Sequence, residues 1–317
     1  MAEIIVAKEF DGIKIERFIK RLYPDFPMSF IFKLLRKGKV RVNKKKVSHN
    51  FRIKENDSVI LHLPPESLIR GEKNRSESVY NLIDSDIIDE NEHFIAINKP
   101  AGFAVHGGEG HIEDTFLKAV HNFLGYKESS MRFPPTPVHR LDIDTSGVLI
   151  IAKKYEFLRK FNELQRERKV YKEYICLVSG EMREKEKVVT SPVIRMDRPE
   201  NHSVGEIGRS IFKLITISSR FASENRIFSL LRVELKTGRT HQIRSHLMQI
   251  GYPIAGDRLY GDTETNKWIR ERAGLRRQFL HSNCIDFEYN GLRFHLVAQL
   301  PEELRRTLEI LEIDFSI

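Results

Sequence analysis

The sequence predicts an α+β protein whose main sheet is mostly antiparallel, preceded by a small basic module. From residue 85 onward, short apolar runs of strand type are interspersed with segments of helical periodicity, and no period of 20–50 residues repeats. Of the 317 residues, the first 70 hold 16 Lys and Arg against 8 Asp and Glu, which is nearly all of the net charge of +9. We therefore expect a basic domain at 1–70, a linker at 71–84 and a larger domain at 85–317.

The basic domain is expected to contain two helices and a short hairpin. Residues 13–23 have apolar side chains at helical spacing, and residues 29–37 follow with Ser29 as N-cap and Gly38 as stop. Short strands are predicted at 40–43, near Val47, and at 59–63. The second helix and the turn after it carry a cluster of cations, namely Arg36, Lys37, Lys39, Arg41, Lys44, Lys45 and Lys46. On so small a domain they can share one face and follow a phosphate backbone, or form a solvated basic face without a partner.

The larger domain is predicted from runs of both periodicities. Strands are expected at 94–98, 148–152, 170–178 and 227–235, and a helix at 155–168. A further helix is expected to begin after the Thr237-Gly238 turn and to end at Gly251. Its buried stripe consists of Ile243, Leu247 and Ile250, with Arg244 off that stripe.

Composition excludes several classes of protein. Cys176 and Cys284 lack the spacing of a disulfide framework or a zinc site. The first residues do not resemble a signal peptide, and no apolar run approaches the roughly 18 residues of a membrane helix. These features predict a cytoplasmic protein with no membrane partner.

Asp142 is the strongest candidate for catalysis. It lies in a polar segment between a proline-rich stretch and the apolar run 148–152, where a strand fixes the backbone and a loop leaves side chains accessible. A carboxylate must be ionised to act as nucleophile or general base, and a nearby arginine favours that state. The arginine is either Arg140 or one from the segment 237–246. Taken singly, each segment is also compatible with a structural salt bridge or a capping network.

Together the segments resemble one family. The matching motifs, in chain order, are Lys99-Pro100-Ala101-Gly102, Val105-His106-Gly107-Gly108, His139-Arg140-Leu141-Asp142-x-x-Thr145-Ser146-Gly147, Lys172-x-Tyr174-x-x-x-Val178-x-Gly180, Gly238-Arg239-Thr240-His241-Gln242-Ile243-Arg244-x-His246 and Gly256-Asp257-x-x-Tyr260-Gly261. They are similar to signatures of the RluA-type pseudouridine synthases, most closely the RluC-like branch, over residues 85–300. Residues 12–65 resemble the alpha-L RNA-binding domain, which is named after small-subunit ribosomal protein four.

The resemblance implies the pseudouridine synthase fold and isomerisation of uridine in large-subunit ribosomal RNA, a reaction that needs no redox cofactor. We further expect a monomer without a metal, since His241 and His246 are spaced poorly for a shared metal site. Asp142 corresponds to the catalytic aspartate, which attacks the anomeric carbon or deprotonates its neighbour. Tyr174 matches the tyrosine that packs on the target base, and Arg140 the arginine that fills the gap left by a flipped uridine. Arg244 is favoured over Arg239 for the salt bridge to Asp142. The predicted RNA-binding residues are Arg36, Lys37, Arg41, Lys44, Lys45, Lys46 and His139.

Alternatives remain for several of these features. Asp142-Ile143-Asp144-Thr145 also resembles the nucleophile motif of haloacid-dehalogenase-type phosphatases, although the residues before it are not an apolar strand. A non-catalytic RNA-binding or assembly factor on a synthase scaffold is a second alternative. His139 is either a catalytic base or, more in keeping with its loop, a residue whose hydrogen bond fixes the backbone. Trp268 and the arginines after it either touch RNA or lie on a solvated helix.

Overall fold

The computed structural model describes residues 2–23, 26, 28–62, 80–105, 115–126, 133–197 and 205–315. Most of the predicted linker at 71–84, the motif residues His106-Gly107-Gly108 and the Ser29 side chain proposed as N-cap lie outside these residues. Among the described residues, no helix has the length and apolar character needed to cross a membrane.

The N-terminal region pairs two helices with a four-stranded antiparallel sheet in the order β1-β4-β2-β3. Its elements are β1 (Ala2–Ile5), α1 (Ile15–Leu22), α2 (Met28–Arg36), β2 (Val40–Val42), β3 (Lys45–Lys46) and β4 (Ser58–Leu61). The helices and the hairpin agree with the sequence prediction, but β1 was not anticipated. This strand is short, and the strand with which it pairs, β4, lies more than fifty residues later in the chain.

The hairpin between β2 and β3 turns at Asn43 and Lys44, which both have positive φ. Two successive residues of positive φ match the right-handed twist of the flanking strands, and Asn tolerates this conformation well. The Asn43 side-chain amide also donates to Asp57 Oδ1 at 2.8 Å. The turn therefore places Lys44, Lys45 and Lys46 together at the exposed tip of the hairpin.

The larger region is built on a ten-stranded mixed sheet. Its strands are β5 (Ile87–Glu90), β6 (Phe94–Lys99), β7 (Thr136–Pro137), β8 (Ser146–Ala152), β9 (Tyr171–Ser179), β10 (Glu186–Pro192), β11 (Ile207–Phe221), β12 (Arg226–Leu235), β13 (Leu280–Tyr289) and β14 (Leu292–Val297). The main path runs β10-β11-β12-β9-β13-β8-β6-β5, with β14 beside β13 and β7 beside β8. Only the β13–β8 pair is parallel among the described strands, which confirms the predicted α+β class.

Helices cover the sheet, and β8 is buried on both of its faces. They are α3 (Phe116–Phe123), α4 (Tyr155–Arg166), α5 (Gln242–Gln249), α6 (Thr263–Ala273) and α7 (Glu302–Ile310). Along β8, Leu149 and Ile151 belong to one hydrophobic cluster and Val148 and Ile150 to another. A strand that is buried on both faces reads as a continuous apolar run, which explains the sequence of residues 148–152.

Strand β13 brings two of the predicted site segments together. Ser282 on β13 pairs with Gly147 at the start of β8 and with Tyr174 on β9. Gly147 has φ +112°, and a Cβ there would lie 2.1 Å from the Ser282 carbonyl oxygen, so only glycine fits. Because Asp142 lies just before β8, this close pairing sets its position relative to Tyr174.

The N-terminal region packs on the face of the large sheet that carries α4. Phe10 contacts the rings of Phe133 and Tyr155, with centroids 6.1 and 6.4 Å apart. The Arg21 guanidinium lies 4.6 Å from the Tyr155 ring centroid, and Glu9 Oε1 accepts a hydrogen bond from the Phe133 N–H at 2.6 Å. One hydrophobic cluster therefore contains residues of both regions.

Candidate active site

Asp142 opens a tight turn that leads into β8. The Thr145 N–H donates to the Asp142 carbonyl at 3.0 Å. Lys99, which is fully buried, donates through Nζ to the carbonyl oxygens of Pro100, Ile143 and Thr145 at 2.7, 3.1 and 3.1 Å. Burial lowers the pKa of Lys99 to about 7. The backbone of the loop is therefore fixed from inside, whereas the Asp142 side chain remains partly exposed.

The same loop is held on its other side by Arg277. Its Nη1 donates to the Asp144 carbonyl at 3.0 Å and its Nη2 to Ser146 Oγ at 3.0 Å, while Nε pairs with Glu303 at 2.6 Å. Arg277 is buried, so it belongs to the structural core rather than to a solvated basic helix. The contact to Asp144 runs through its backbone, in keeping with a structural role for this residue.

Arg244 on α5 forms ion pairs with two aspartates. Its Nη1 donates to Asp142 Oδ2 at 3.2 Å, and its Nε and Nη2 donate to the two oxygens of Asp257 at 2.7 and 2.9 Å. Burial by itself would lower the pKa of Arg244, but the hydrogen bonds and charges of the two carboxylates raise it instead. The predicted salt bridge to Asp142 is thus present, and Arg244 rather than Arg239 makes it. Arg239 pairs with Glu206.

Asp257 is a residue that the sequence interpretation did not single out. Its side chain is fully buried and also accepts from the Leu259 and Tyr260 N–H groups at 2.9 and 3.0 Å. A bidentate guanidinium–carboxylate pair of this kind fixes orientation as well as charge. Asp257 therefore holds Arg244 in the geometry that meets Asp142. The only available signal was the Gly256-Asp257-x-x-Tyr260-Gly261 motif.

Helix α5 is buried nearly all round, contrary to the expectation of a single apolar stripe. Gln242 donates to Ser210 Oγ at 2.9 Å, and Ser245 Oγ accepts from the Ile194 N–H at 2.8 Å. His246 lies 3.0 Å from Ser210 Oγ through Nδ1. Hydrophobic periodicity did not predict this burial, because the polar face of α5 forms hydrogen bonds to β11 and to the segment after β10. Arg244 is buried against the two carboxylates that it pairs with.

Tyr174 and Arg140 line the same pocket as Asp142. The pocket has a volume of about 170 Å³, and its wall also includes Lys172 and His241. Burial raises the pKa of Tyr174 to about 12, and its hydroxyl lies beside Ser282. The ring is thus held as a neutral flat surface. Arg140 is exposed at the edge of the pocket.

His139 lies on the pocket wall with its ring engaged by the backbone. Its Nε2 accepts from the Ile150 N–H at 3.2 Å. Burial lowers the pKa of His139 to about 3, so the imidazole is neutral near pH 7. Of the two alternatives for His139, this geometry supports the loop-fixing hydrogen bond. Contact with RNA stays a prediction, and it would not involve a cationic ring.

The predicted cation cluster of the N-terminal region is exposed throughout. We use the term basic face for these residues, which are Arg36, Lys37, Lys39, Arg41, Lys44, Lys45 and Lys46. No ion pair with an acidic residue is found for any of them within the described parts of the chain. Their charge therefore remains available to an anionic partner.

The weaker sequence signals have structural explanations. Trp268 packs between Phe221 and Phe228 and donates to Glu224 Oε2 at 2.8 Å, so the ring is part of the fold. Cys176 and Cys284 are buried free thiols. Across the described residues, no group of three or more His, Cys, Asp or Glu side chains has an arrangement that could hold a metal ion.

Comparison with known proteins identifies the family. Residues 93–249 match the model of RNA pseudouridylate synthases, and residues 14–59 match that of the S4 domain. The chain is 34% identical to the ribosomal large subunit pseudouridine synthase C of Escherichia coli K12, covering 96% of this chain and 95% of the relative. The chain belongs to the pseudouridine synthase family. The corresponding protein of Salmonella typhi is likewise 34% identical, over 97% of this chain and 96% of its own length.

Solved structures agree on the pseudouridine synthase fold. Human RNA pseudouridylate synthase domain containing 4 superimposes with a TM-score of 0.58 at 22% identity, over 73% of this chain and 94% of that one. The chain is therefore an isomerase with an RNA-binding S4 domain, and both the phosphatase and the non-catalytic alternatives are wrong.

Proposed function

We propose that this pseudouridine synthase isomerises uridines of large-subunit ribosomal RNA, and that Asp142 carries the reaction. The substrate is inferred from relatives named ribosomal large subunit pseudouridine synthase C, which match nearly the whole chain. The catalytic assignment rests on one observation: the Asp142 carboxylate lines the pocket and is held by a guanidinium that a second, fully buried aspartate fixes. The enzyme is further proposed to act as a cytoplasmic monomer without a cofactor.

The reaction needs an ionised carboxylate close to the ribose. Asp142 either attacks the anomeric carbon or removes a proton from its neighbour, and the bond from that carbon to uracil N1 breaks. The freed uracil turns, its C5 forms a bond to the anomeric carbon, C5 loses a proton and N1 gains one. Arg244 keeps Asp142 charged and oriented, because each ion pair favours the ionised form.

The other predicted residues act on the base rather than on the ribose. The reacting atoms are inaccessible inside a stacked helix, so the uridine must leave it. Tyr174 offers an aromatic face on which the extruded uracil stacks. Arg140, exposed at the edge of the pocket, occupies the space that the uridine leaves. The basic face binds phosphates at a distance from the pocket.

The substrate assignment is tested by mapping pseudouridine in ribosomal RNA from cells with and without this protein. Specific positions of the large-subunit RNA are expected to lose the modification, and the purified enzyme is expected to restore it on a transcript of that RNA. Small-subunit RNA serves as the control and stays unchanged. Loss of modification in transfer RNA alone would contradict the substrate.

The role of Asp142 is tested by the substitution Asp142→Asn, with Asp144→Asn as the matched control. The first variant is expected to lose pseudouridine formation by about 10³-fold or more while its affinity for RNA persists. The control keeps turnover, because Asp144 contacts its loop through the backbone carbonyl. A fully active Asp142→Asn enzyme would remove Asp142 from the mechanism.

A further inference from the structure

His241 faces the pocket but has no role in the steps above. It precedes α5 with φ +61° and closes the pocket wall next to Asp142. Its side chain is 14% exposed, and its Nε2 lies 3.9 Å from Asp142 Oδ2. This distance is too long for a hydrogen bond, so Nε2 remains available to a substrate that enters the pocket beside Asp142.

The hydrogen bonds around Tyr260 decide which ring nitrogen of His241 carries the proton. The Tyr260 hydroxyl accepts from the Met196 N–H at 3.1 Å and lies 3.1 Å from the Ile194 carbonyl, to which it donates. His241 Nδ1 lies 3.0 Å from the same hydroxyl. A phenol has one proton, and the assignment that satisfies both partners gives it to Ile194 and makes Nδ1–H the donor to Tyr260. The neutral imidazole therefore presents the lone pair of Nε2 to the pocket.

Given the proposed function, the last step of the reaction requires a base near Asp142. The uracil C5 that loses its proton is bonded to the anomeric carbon on or beside which Asp142 acts. Other groups of the pocket suit this step poorly. Arg244 has no lone pair to offer, and burial keeps Tyr174 protonated. Burial lowers the pKa of Lys172 to about 8, so this amine is mostly protonated near pH 7, and it donates to Gln165 Oε1 at 2.5 Å. His139 Nε2 already accepts from the Ile150 N–H.

We propose that His241 is the base that removes the proton from uracil C5 after the new carbon–carbon bond has formed. Nε2 accepts the proton, and the electron pair of the C5–H bond forms the C5–C6 double bond. The pair of the former N1–C6 double bond moves to N1, which takes a proton from solvent. The imidazolium then returns its proton to solvent, so that atoms and charges balance over the cycle.

The electrostatics of the site suit a base that is neutral before the step and cationic after it. Burial, which is the largest influence, lowers the pKa of His241. The charged groups that face it are Asp142 and Asp197, which favour the protonated ring, and Arg244 and Arg195, which oppose it. Asp197 Oδ1 lies 3.7 Å from Nδ1, and the hydrogen bond from Arg195 keeps the pKa of Asp197 at about 2. Two carboxylates thus stabilise the charge as it develops.

The substitution His241→Asn tests this role with little change in structure. Asparagine tolerates the positive φ, and its amide can donate to Tyr260 in place of Nδ1, but nothing replaces Nε2. Turnover of uridine-containing RNA is expected to fall by about 10²–10⁴-fold. Replacing the C5 hydrogen by deuterium is expected to slow the variant by a larger factor than the wild type, because proton removal has become limiting. Wild-type turnover, or an isotope effect no larger than that of the wild type, would overturn the proposal.

RNA containing 5-fluorouridine separates this proposal from the proposed function. Its C5 has no proton, so carbon–carbon rejoining proceeds but the final step cannot occur. His241→Asn is expected to rearrange this RNA at the wild-type rate, whereas Asp142→Asn remains inactive on it. Equal losses on both RNAs would assign His241 a purely structural role. An active Asp142→Asn enzyme on 5-fluorouridine RNA would instead contradict the role of Asp142.

A second variant covers the case in which His241→Asn does not fold. Glycine adopts positive φ freely, and His241→Gly leaves space for a free imidazole. Added imidazole is expected to restore turnover of uridine RNA in proportion to the concentration of its neutral form. Absence of rescue in a folded, RNA-binding His241→Gly enzyme would contradict the role of His241 as the base.

Discussion

The basic face and the catalytic pocket carry positive charge in opposite ways. On the basic face the cations are exposed, and none pairs with an acid among the described residues. In the pocket, Arg244 is only 7% exposed and is divided between Asp142 and Asp257. The cations of the basic face can therefore bind an external anion, whereas the charge of Arg244 is already paired with two carboxylates.

This difference separates affinity from chemistry. Exposed cations bind phosphates by releasing counterions, which gives an affinity that is independent of sequence and falls with salt. A buried and fully paired guanidinium contributes little to such binding, but it fixes the position and ionisation of the carboxylate that reacts. Substitutions in the two regions should therefore alter different measured quantities.

The largest effect is expected from breaking the buried pair with Asp257→Asn. Arg244 then loses one of its two carboxylates in a buried site, and the free energy of unfolding is expected to fall by about 3–5 kcal/mol. Turnover is expected to fall by about 10²-fold, because Arg244 no longer holds the Asp142 carboxylate in its reactive position. Chemical denaturation and single-turnover assays measure the two effects.

The exposed pair between Arg272 and Glu224 supplies the control for that experiment. Glu224→Gln is expected to cost less than about 1 kcal/mol, because solvent screens the pair, and to leave turnover unchanged. Equal losses in the free energy of unfolding for the two substitutions would show that the buried pair stabilises the protein no more than the exposed pair does.

A smaller effect is expected from removing the tip of the basic face through Lys44→Ala, Lys45→Ala and Lys46→Ala together. The slope of log affinity against log salt is expected to flatten by about 2 units, since each contact of a cation with a single-stranded phosphate contributes about 0.7. RNA binding at several salt concentrations measures the slope.

Three lysines of the large region serve as the matched control. Lys153, Lys154 and Lys160 are each paired with a glutamate, so their triple replacement by alanine should leave the slope nearly unchanged. If both triple variants flattened the slope equally, total charge rather than its location would determine binding.

The last prediction concerns pH and the buried Lys99. Its pKa is lowered from 10.5 to about 7 in the fold, so between these values the unfolded chain binds a proton that the folded chain has released. Stability due to this group therefore rises with pH from about 7 to 10 and is flat below. The stability of the wild type relative to Lys99→Met should increase over that range.

The exposed Lys154, whose pKa is raised rather than lowered, supplies the control as Lys154→Met. Its stability difference from the wild type should not increase between pH 7 and 10. A constant difference for Lys99→Met as well would mean that Lys99 stays charged inside the fold.

Much of the pocket could be predicted from sequence, because its motifs carry local information. Through their resemblance to one family, the motifs around Asp142 and Arg244 indicated an ion pair between segments about a hundred residues apart, and the structure contains it. The helices of the basic domain followed equally well from their apolar spacing. Gly38, predicted as the stop of α2, has the positive φ that ends a helix.

The remaining features depend on tertiary contacts that leave no local pattern. Asp257 becomes important only when its loop meets Arg244, and the Nε2 of His241 is directed at Asp142 by a tyrosine nineteen residues along the chain. The polar face of α5 is buried by hydrogen bonds to other strands, which hydrophobic periodicity does not register. The domain boundary at residue 70 stays a prediction.

One assay tests most directly whether affinity and chemistry are carried by separate charges. Single-turnover rates are measured against RNA concentration at several salt concentrations for Asp142→Asn and for the Lys44, Lys45 and Lys46 triple variant. Asp142→Asn should lose the maximal rate and keep the salt dependence of binding, whereas the triple variant should keep the maximal rate and bind RNA with a weaker salt dependence. A fall of both quantities together in either variant would contradict the separation.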